Sequence, residues 1–237
     1  MSSLFSRPLK YTLILLCAIF LNQGCAGGGD SNPESVNENG QNISQTSRPQ
    51  LAPTTFYPEA VTLKEVSNSD MKELLDEELV YIDAQELEWI APKGTLTDGA
   101  SVPRLALWVT DGRFDAGFLK AAIIHDAYCQ SENADRCPAQ FKKRPWKLVH
   151  RMFYEASVAG GTDQMRAKLM FAAVWLGGPR WNDIKNNLDE IPQASLIETY
   201  EFARLWIESE DPSIEEIELW MEEQETRLLE SSALLPL

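Results

Sequence analysis

The stretch that decides the fold of this chain is Ala116-Gly-Phe-Leu-Lys-Ala-Ala-Ile-Ile-His-Asp-Ala-Tyr-Cys129, in which apolar and small residues recur at helical spacing. The spacing predicts a helix that Asp115 caps and that ends near Cys129. The chain has only two histidines, and one of them, His125, stands beside Asp126 in this otherwise small and apolar helix. We therefore take the helix as the candidate centre of function. One face is expected to carry Phe118, Ala121, Ala122, His125 and Tyr128.

A second helix is expected to pack against the first, and it carries the other histidine. It begins at Pro145 and has an apolar stripe that includes His150 and Phe153. Residues three and four apart share a helix face, so His150 should aim across the interface. We expect His125 and His150 within hydrogen-bond or shared-metal distance, with Asp98 or Asp126 close by. At least one ring should be neutral at pH 7, its pKa lowered by burial and by the other ring.

Three more helices are predicted after this pair. One runs from about Gln164 to Leu176 and stops at Gly177-Gly178-Pro179. Ser195-Leu-Ile-Glu198 is typical of a capping box, and Asp211-Pro212 opens the last helix. Residues 183–237 contain 15 acidic and 3 basic residues. They are expected to form acidic helices that pack on the domain or extend it, and a partner-binding face is the alternative.

Upstream of the helices the pattern changes to that of strands. Leu79–Ile82 and Leu87–Ile90 are rich in β-forming residues, and Asp70–Glu78 is expected to include a helical turn. The loop Thr97–Pro103 connects this part to the helices. The fold class that follows is α+β, a small antiparallel sheet followed by a mainly α-helical body.

The N-terminus has the features of an export signal. Arg7 and Lys10 precede an apolar run of 11 residues, too short to span a bilayer of ~30 Å hydrocarbon, and Gly24-Cys25-Ala26 follows it. Residues 1–25 are therefore predicted to be a lipoprotein-type signal peptide, with Cys25 lipidated. Cleavage after Ala26 is the alternative. Residues 26–55 lack an apolar period and are expected to be a flexible tether. The protein is expected to be exported and anchored by its lipid in the outer membrane, facing the periplasm.

Charge and cysteine usage narrow the function further. The net charge of -15 argues against nucleic acid as a partner. A basic run from Lys142 to Arg151 could meet anionic lipid headgroups, although a solvated helix start is the ordinary interpretation. Once Cys25 is lipidated and the signal removed, Cys129 and Cys137 remain. In an oxidising compartment this pair predicts a disulfide, and two free thiols are the alternative.

Residues from about 80 to 181 resemble the bacterial and phage domain-of-unknown-function family 1353. Several motifs recur in order over about 100 residues, and this resemblance gives a domain over residues 56–182 but brings no established activity. The matching segments are Asp98-Gly-Ala-Ser-Val-Pro103, His125-Asp-Ala-Tyr128, His150-Arg-Met-Phe-Tyr-Glu-Ala156 and Gly178-Pro-Arg-Trp181.

The Asp-Gly loop followed by the His-Asp helix is also similar to the small prokaryotic phospholipases A2. The resemblance implies an antiparallel helix pair, His125 as the general base, and calcium held by Asp98, the Gly99 carbonyl and Asp126. A histidine supplies a base near neutral pKa, and calcium prefers carboxylate and carbonyl oxygens. The expected function is calcium-dependent hydrolysis of a lipid or another acyl ester.

The sequence departs from that pattern at His150. Three residues before Phe153, where the phospholipases place an orienting Asp, this chain has His150, which cannot stabilise an imidazolium as a carboxylate does. Two other interpretations follow. His125 and His150 could join Asp98 or Asp126 in a two-histidine, one-carboxylate site for a transition metal such as zinc. The same residues could instead form a structural polar cluster in a non-catalytic envelope scaffold whose protein partner is unknown.

Overall fold

The fold was analysed in a computed structural model that describes residues 54–99, 116–183 and 187–233. The predicted signal peptide with Cys25, the tether up to residue 53 and the Asp115 cap lie outside the described residues. The second half of the Thr97–Pro103 loop does so too.

Among the described residues, six short strands form two antiparallel sheets of three strands each. The sheets have the orders β1-β4-β5 and β2-β3-β6, and the Tyr81 position of β4 faces Trp89 of β5. Two predicted strands are confirmed as β4 and β5. The helical turn predicted within Asp70–Glu78 is wrong, because β3 lies there and pairs with strands on both sides. The strands are β1 Thr55–Tyr57, β2 Leu63–Glu65, β3 Lys72–Leu74, β4 Glu78–Ile82, β5 Glu88–Pro92 and β6 Leu96–Thr97.

Five α-helices follow in the part of the chain that the structure describes, and the first three agree with the sequence prediction. The predicted capping box at Ser195 is wrong, because its helix already begins at Gln193, behind Pro192. The last helix has a capping box of its own instead: the Ser213 N–H donates to the Glu216 carboxylate and the Glu216 N–H donates to the Ser213 hydroxyl. The helices are α1 Ala116–Cys129, α2 Trp146–Ala159, α3 Gln164–Gly177, α4 Gln193–Glu210 and α5 Ile214–Ala233.

The core lies where α1 packs between α2 and the strands. Every residue of α1 from Ala121 to Cys129 is buried, so this helix has no solvent face over its second half. Gly160, at the end of α2, allows the closest approach of the two helices, since a Cβ there would meet the backbone carbonyl of Gly117. The α+β class predicted from the sequence is confirmed.

The acidic helices α4 and α5 pack on this body through ion pairs as well as apolar contacts. Arg180 and Glu225 form a pair at 2.8 Å in which both side chains are about 95% buried, exposing only 5% and 4% of their surface. Arg151 of the basic run contacts Glu215 and Glu218 of α5. Arg151 is therefore engaged by α5 and is not the solvated residue that the ordinary interpretation of the basic run expects. Within the described residues, the helices are too short or too polar to cross a membrane.

Candidate functional site

The two histidines meet at the interface of α1 and α2. His125 Nε2 lies 3.0 Å from His150 Nδ1, and the rings expose 8% and 0% of their surface. Phe153, one turn after His150, packs against the His125 ring with the centroids 5.2 Å apart. The expectation that the rings approach within hydrogen-bond distance is confirmed.

The direction of that hydrogen bond follows from the surroundings of His150. Burial, the neighbouring His125 and the cation Arg180 hold the pKa of His150 well below its usual range, and only the Pro179 carbonyl acts in the opposite direction. His150 is therefore neutral. The Nε2 of His150 faces Gly178 and Pro179, and the carbonyl of Pro179 is the acceptor on that side, although it does not meet hydrogen-bond geometry. We therefore place the proton of neutral His150 on Nε2, which leaves Nδ1, next to His125, as an acceptor. We assign the proton of the shared bond to His125 Nε2, which donates to His150 Nδ1.

In the neutral form of His125, this assignment makes Nδ1 the unprotonated nitrogen, and Nδ1 is directed at two side chains of its own helix. His125 Nδ1 lies 3.3 Å from Cys129 Sγ and 3.7 Å from Asp126 Oδ1. Cys129 reaches it because residues four apart share a helix face. His125, Asp126 and Cys129 are all buried, and their donor atoms lie within 4.8 Å of one another.

The Asp98 loop closes the site from the strand side. The Thr97 hydroxyl donates to Asp126 Oδ2 at 2.6 Å, and the Gly99 N–H donates to the Thr97 oxygen at 3.0 Å. Burial, and to a lesser extent the charge of Asp98, raise the pKa of Asp126 to about 6, against the contacts with His125 and Thr97, which lower it. The expectation that Asp98 or Asp126 lies close to the histidines is therefore met by Asp126, 3.7 Å from His125 Nδ1.

A residue that the sequence analysis missed fixes this loop to the helix. The Asn133 side chain is fully buried, and its amide oxygen accepts from the Leu96 N–H at 2.8 Å. Its amide nitrogen donates to the carbonyls of Leu96 and Asp126. Asn133 thus joins the last strand to α1 at the turn that carries Asp126. Its only sequence signal was a polar residue in a loop, which has no periodicity to distinguish it.

The predicted disulfide between Cys129 and Cys137 is not formed. Both thiols are free and buried, and each has another neighbour: Cys129 Sγ faces His125, and Cys137 Sγ lies 3.3 Å from the Thr95 hydroxyl. Burial raises the pKa of both thiols, most strongly at Cys129, where Asp126 and Asp98 add to the effect. Cys129 is therefore a thiol rather than a thiolate nucleophile, although its spacing from His125 would have marked it as part of the site.

The described chain is thus an α+β domain with a buried histidine–aspartate–cysteine cluster between its first two helices. Residues 74–174 match the family described as Protein of unknown function (DUF1353). This match confirms the family resemblance inferred from the motifs, whereas the similarity to phospholipases A2 stays a prediction.

Two curated relatives are similar to about half of the chain. The "Uncharacterized protein y4iH" of Sinorhizobium fredii (strain NBRC 101917 / NGR234) is 35% identical over 119 residues, which cover 50% of this chain and 46% of the relative. The "Uncharacterized protein y4jT" of the same strain is 35% identical over 107 residues, covering 45% of this chain and 29% of the relative. The chain therefore spans less than half the length of either relative. No solved structure matches it.

Proposed function

We propose that the protein binds a transition metal ion, zinc, through His125 Nδ1, Asp126 and Cys129. The observation that carries the proposal is the convergence of three donor atoms within 4.8 Å in a buried position. Two donors bound to one tetrahedral zinc ion at the usual bond lengths lie about 3.3–3.7 Å apart. The measured contacts of His125 Nδ1, 3.3 Å to sulfur and 3.7 Å to oxygen, are close to this range.

The donor types favour zinc over calcium. Calcium takes six to eight oxygen ligands, whereas thiolate and imidazole suit zinc. Beside the Asp126 oxygen, the donor atom at His125 Nδ1 is the sulfur of Cys129. Zinc would displace the proton that burial retains on Cys129 in the metal-free cluster.

His150 supports this site without being a ligand. A histidine that binds metal through one nitrogen usually donates the N–H of the other to an acceptor, which fixes the ring and its tautomer. Neutral His150 is that acceptor for His125 Nε2. The two-histidine, one-carboxylate set considered from the sequence is replaced by one histidine, one carboxylate and one thiolate. Asp98 is our candidate for a fourth ligand, since its charge acts on both Asp126 and Cys129.

Metal analysis of the purified chain tests the proposal. We expect about one zinc per chain by elemental analysis, and zinc binding by calorimetry that is far tighter than calcium binding. Cys129→Ser should lose the zinc, and His150→Gln should weaken the affinity for zinc about 10–100-fold. Cys137→Ser is the matched control, because Cys137 is also a buried free thiol but lies against Thr95. Equal zinc content in the Cys129 and Cys137 variants would exclude the site.

A second candidate, calcium-dependent ester hydrolysis, is favoured by one observation. His125 Nδ1 is turned towards Asp126, the residue that the phospholipase resemblance makes a calcium ligand, while Nε2 is held by the neighbouring helix. His125 would then act as the base at Nδ1. A neutral His150 stabilises the resulting imidazolium poorly, so His150→Asp should raise calcium-dependent release of fatty acid from phospholipid vesicles. His125→Asn is the inactive control, and absence of release in all three proteins would exclude this function.

We further propose that the protein is exported and anchored to the cell envelope by lipid on Cys25. The basic head, short apolar run and cysteine of the N-terminus support this proposal. Mass spectrometry of the mature N-terminus should find a diacylated Cys25, and Cys25→Ser should release the protein from membranes. A free N-terminus at Gly27 without lipid mass would contradict it.

A further inference from the structure

The outward side of α4 and α5 carries three large apolar side chains that are mostly in contact with solvent. Phe202 and Leu205 of α4 expose 60% and 54% of their surface, and Leu219 of α5 exposes 67%. Beneath them, Trp206 and Trp220 stack across the two helices with ring centroids 5.7 Å apart. We call Phe202, Leu205 and Leu219 the outer apolar face.

Helix periodicity sets this face on the side opposite to the core. The buried residues of α4 are Tyr200, Ala203 and Ile207, and Phe202 and Leu205 lie about half a turn away from their common direction. Leu219 lies similarly opposite the buried Ile217 and Met221 of α5. The stacked tryptophans join the two helices, and the three exposed side chains lie on the sides of α4 and α5 that face away from the core.

The surroundings of this face are acidic. Glu198 stands one turn before Phe202, and Glu216 and Glu223 stand about one turn before and after Leu219. The nearest cations are already engaged, since Arg204 pairs with Glu201 and Glu208, and Arg227 pairs with Glu223. The face therefore combines exposed apolar surface with an excess of negative charge.

We propose that the outer apolar face docks a cationic amphipathic helix of another protein. Such a helix would place its apolar stripe on Phe202, Leu205 and Leu219 and direct lysines and arginines at the surrounding glutamates. The charge argues against the other occupants. A second copy would bring the same acidic groups face to face, and an anionic membrane surface would repel them. This inference is independent of the metal site, which lies between other helices.

A peptide of leucine and lysine, designed as an amphipathic helix of about five turns, is the probe. We expect the full chain to bind it in fluorescence anisotropy, more weakly at high salt, and to bind a matched leucine–glutamate peptide at least about tenfold more weakly. The combined variant Phe202→Ser, Leu205→Ser, Leu219→Ser should weaken binding of the lysine peptide about tenfold or more. The matched control is Leu75→Ser with Leu148→Ser, which removes exposed leucines elsewhere.

A second variant tests the charge without touching the apolar residues. Glu216→Gln with Glu223→Gln should weaken binding of the lysine peptide and reduce the salt dependence of that binding. Circular dichroism should show that the helices stay intact. Equal binding by the serine variant and the control would overturn the proposal. So would binding of the full chain to phosphatidylcholine or phosphatidylglycerol vesicles through this face, or a dimer that the serine variant abolishes.

Discussion

Helices α1 and α5 are both well formed, yet they are held in the protein by opposite means. Helix α1 is buried on all sides from Ala121 to Cys129, and its polar side chains, His125 and Asp126, have partners inside the core. Helix α5 buries one stripe and leaves most of its glutamates at the surface. It is held by apolar contacts and by cations that the body supplies.

This difference separates two uses of charge. On α5, most acidic groups remain hydrated, so each surface pair contributes little stability and their sum sets the surface potential. On α1, a carboxylate and an imidazole have lost their water, and their protonation is set by their neighbours. Chemistry is therefore expected at α1 and recognition at α4 and α5. Glu225 is the exception that joins the two, because it is an α5 residue buried beside the body.

The largest effect is expected when Glu225 is removed. Glu225→Ala would leave Arg180 charged and buried and would take away the acceptor of the Trp175 indole N–H. Breaking a buried pair in this way costs about 3–5 kcal/mol in the free energy of unfolding. The matched control is Glu223→Ala on the same helix, whose exposed pair with Arg227 should contribute at most about 0.5 kcal/mol. Urea unfolding measures both, and equal losses would contradict the distinction between the two kinds of pair.

A smaller but still clear effect is expected from Gly160→Ala. Its Cβ would meet the Gly117 carbonyl, a backbone atom that cannot rotate away, so α1 and α2 must separate. Overpacking of this kind costs about 1–3 kcal/mol. The His125 and His150 imidazole signals should shift in NMR spectra. Gly161→Ala has no neighbour within 4 Å and is strained only by its positive φ, so it should leave those signals unchanged. Unchanged signals in the Gly160 variant would mean that the helix spacing is not so constrained.

His150 and Asp126 are both buried, and they should contribute to the stability of the metal-free protein with opposite pH dependences. His150 has a lowered pKa, so its contribution to stability is complete above the unfolded pKa of about 6.5 and is lost as pH falls, by about 1.4 kcal/mol per pH unit. Asp126 has its pKa raised to about 6, so the folded state holds a proton that the unfolded state releases. Its contribution falls as pH rises from about 4 to 6.

Variants separate these two contributions. Compared with the wild type, His150→Gln should lose stability less steeply as pH falls below 6.5. Asp126→Asn should no longer lose stability as pH rises from 4 to 6. Thermal unfolding in EDTA across pH 4–7 measures both differences. Parallel curves for the three proteins would show that neither group is perturbed by burial.

The helical body and the meeting of the two histidines followed from the sequence, because both depend on local periodicity. An apolar stripe that includes His125 or His150 determines which way the ring points once the helices pack. The strand β3 did not follow, because Lys72–Leu74 pairs on one side with β6, which comes after β4 and β5 along the chain. Local signals cannot report such pairings.

The chemistry of the site could be predicted only in part. The cysteine count and the inferred compartment suggested a disulfide for Cys129, whereas the position of its sulfur depends on how the helix is rotated against its neighbours. Asn133 could not be found because its role lies in three hydrogen bonds to two separate segments. The outer apolar face was likewise hidden, since Phe202 and Leu219 look like ordinary core residues until the opposite stripes are seen to be buried.

The smallest expected effect concerns the start of α5, where the sequence predicted an opening at Asp211-Pro212 and placed its capping box at Ser195, in α4. Ser213→Ala removes the hydroxyl that accepts the Glu216 N–H, and losing such a cap costs about 1 kcal/mol. Ser195→Ala lies within the first turn of α4, not at its cap, so it should change stability by no more than about 0.5 kcal/mol, in the direction of greater helix propensity. Because α5 also depends on apolar contacts and on Arg151 and Arg180, losing its cap should fray only the first turn. Hydrogen exchange should therefore quicken near Glu216 and stay slow near Glu225. Equal effects of the two serine variants on stability would mean that the capping box does not determine where α5 begins.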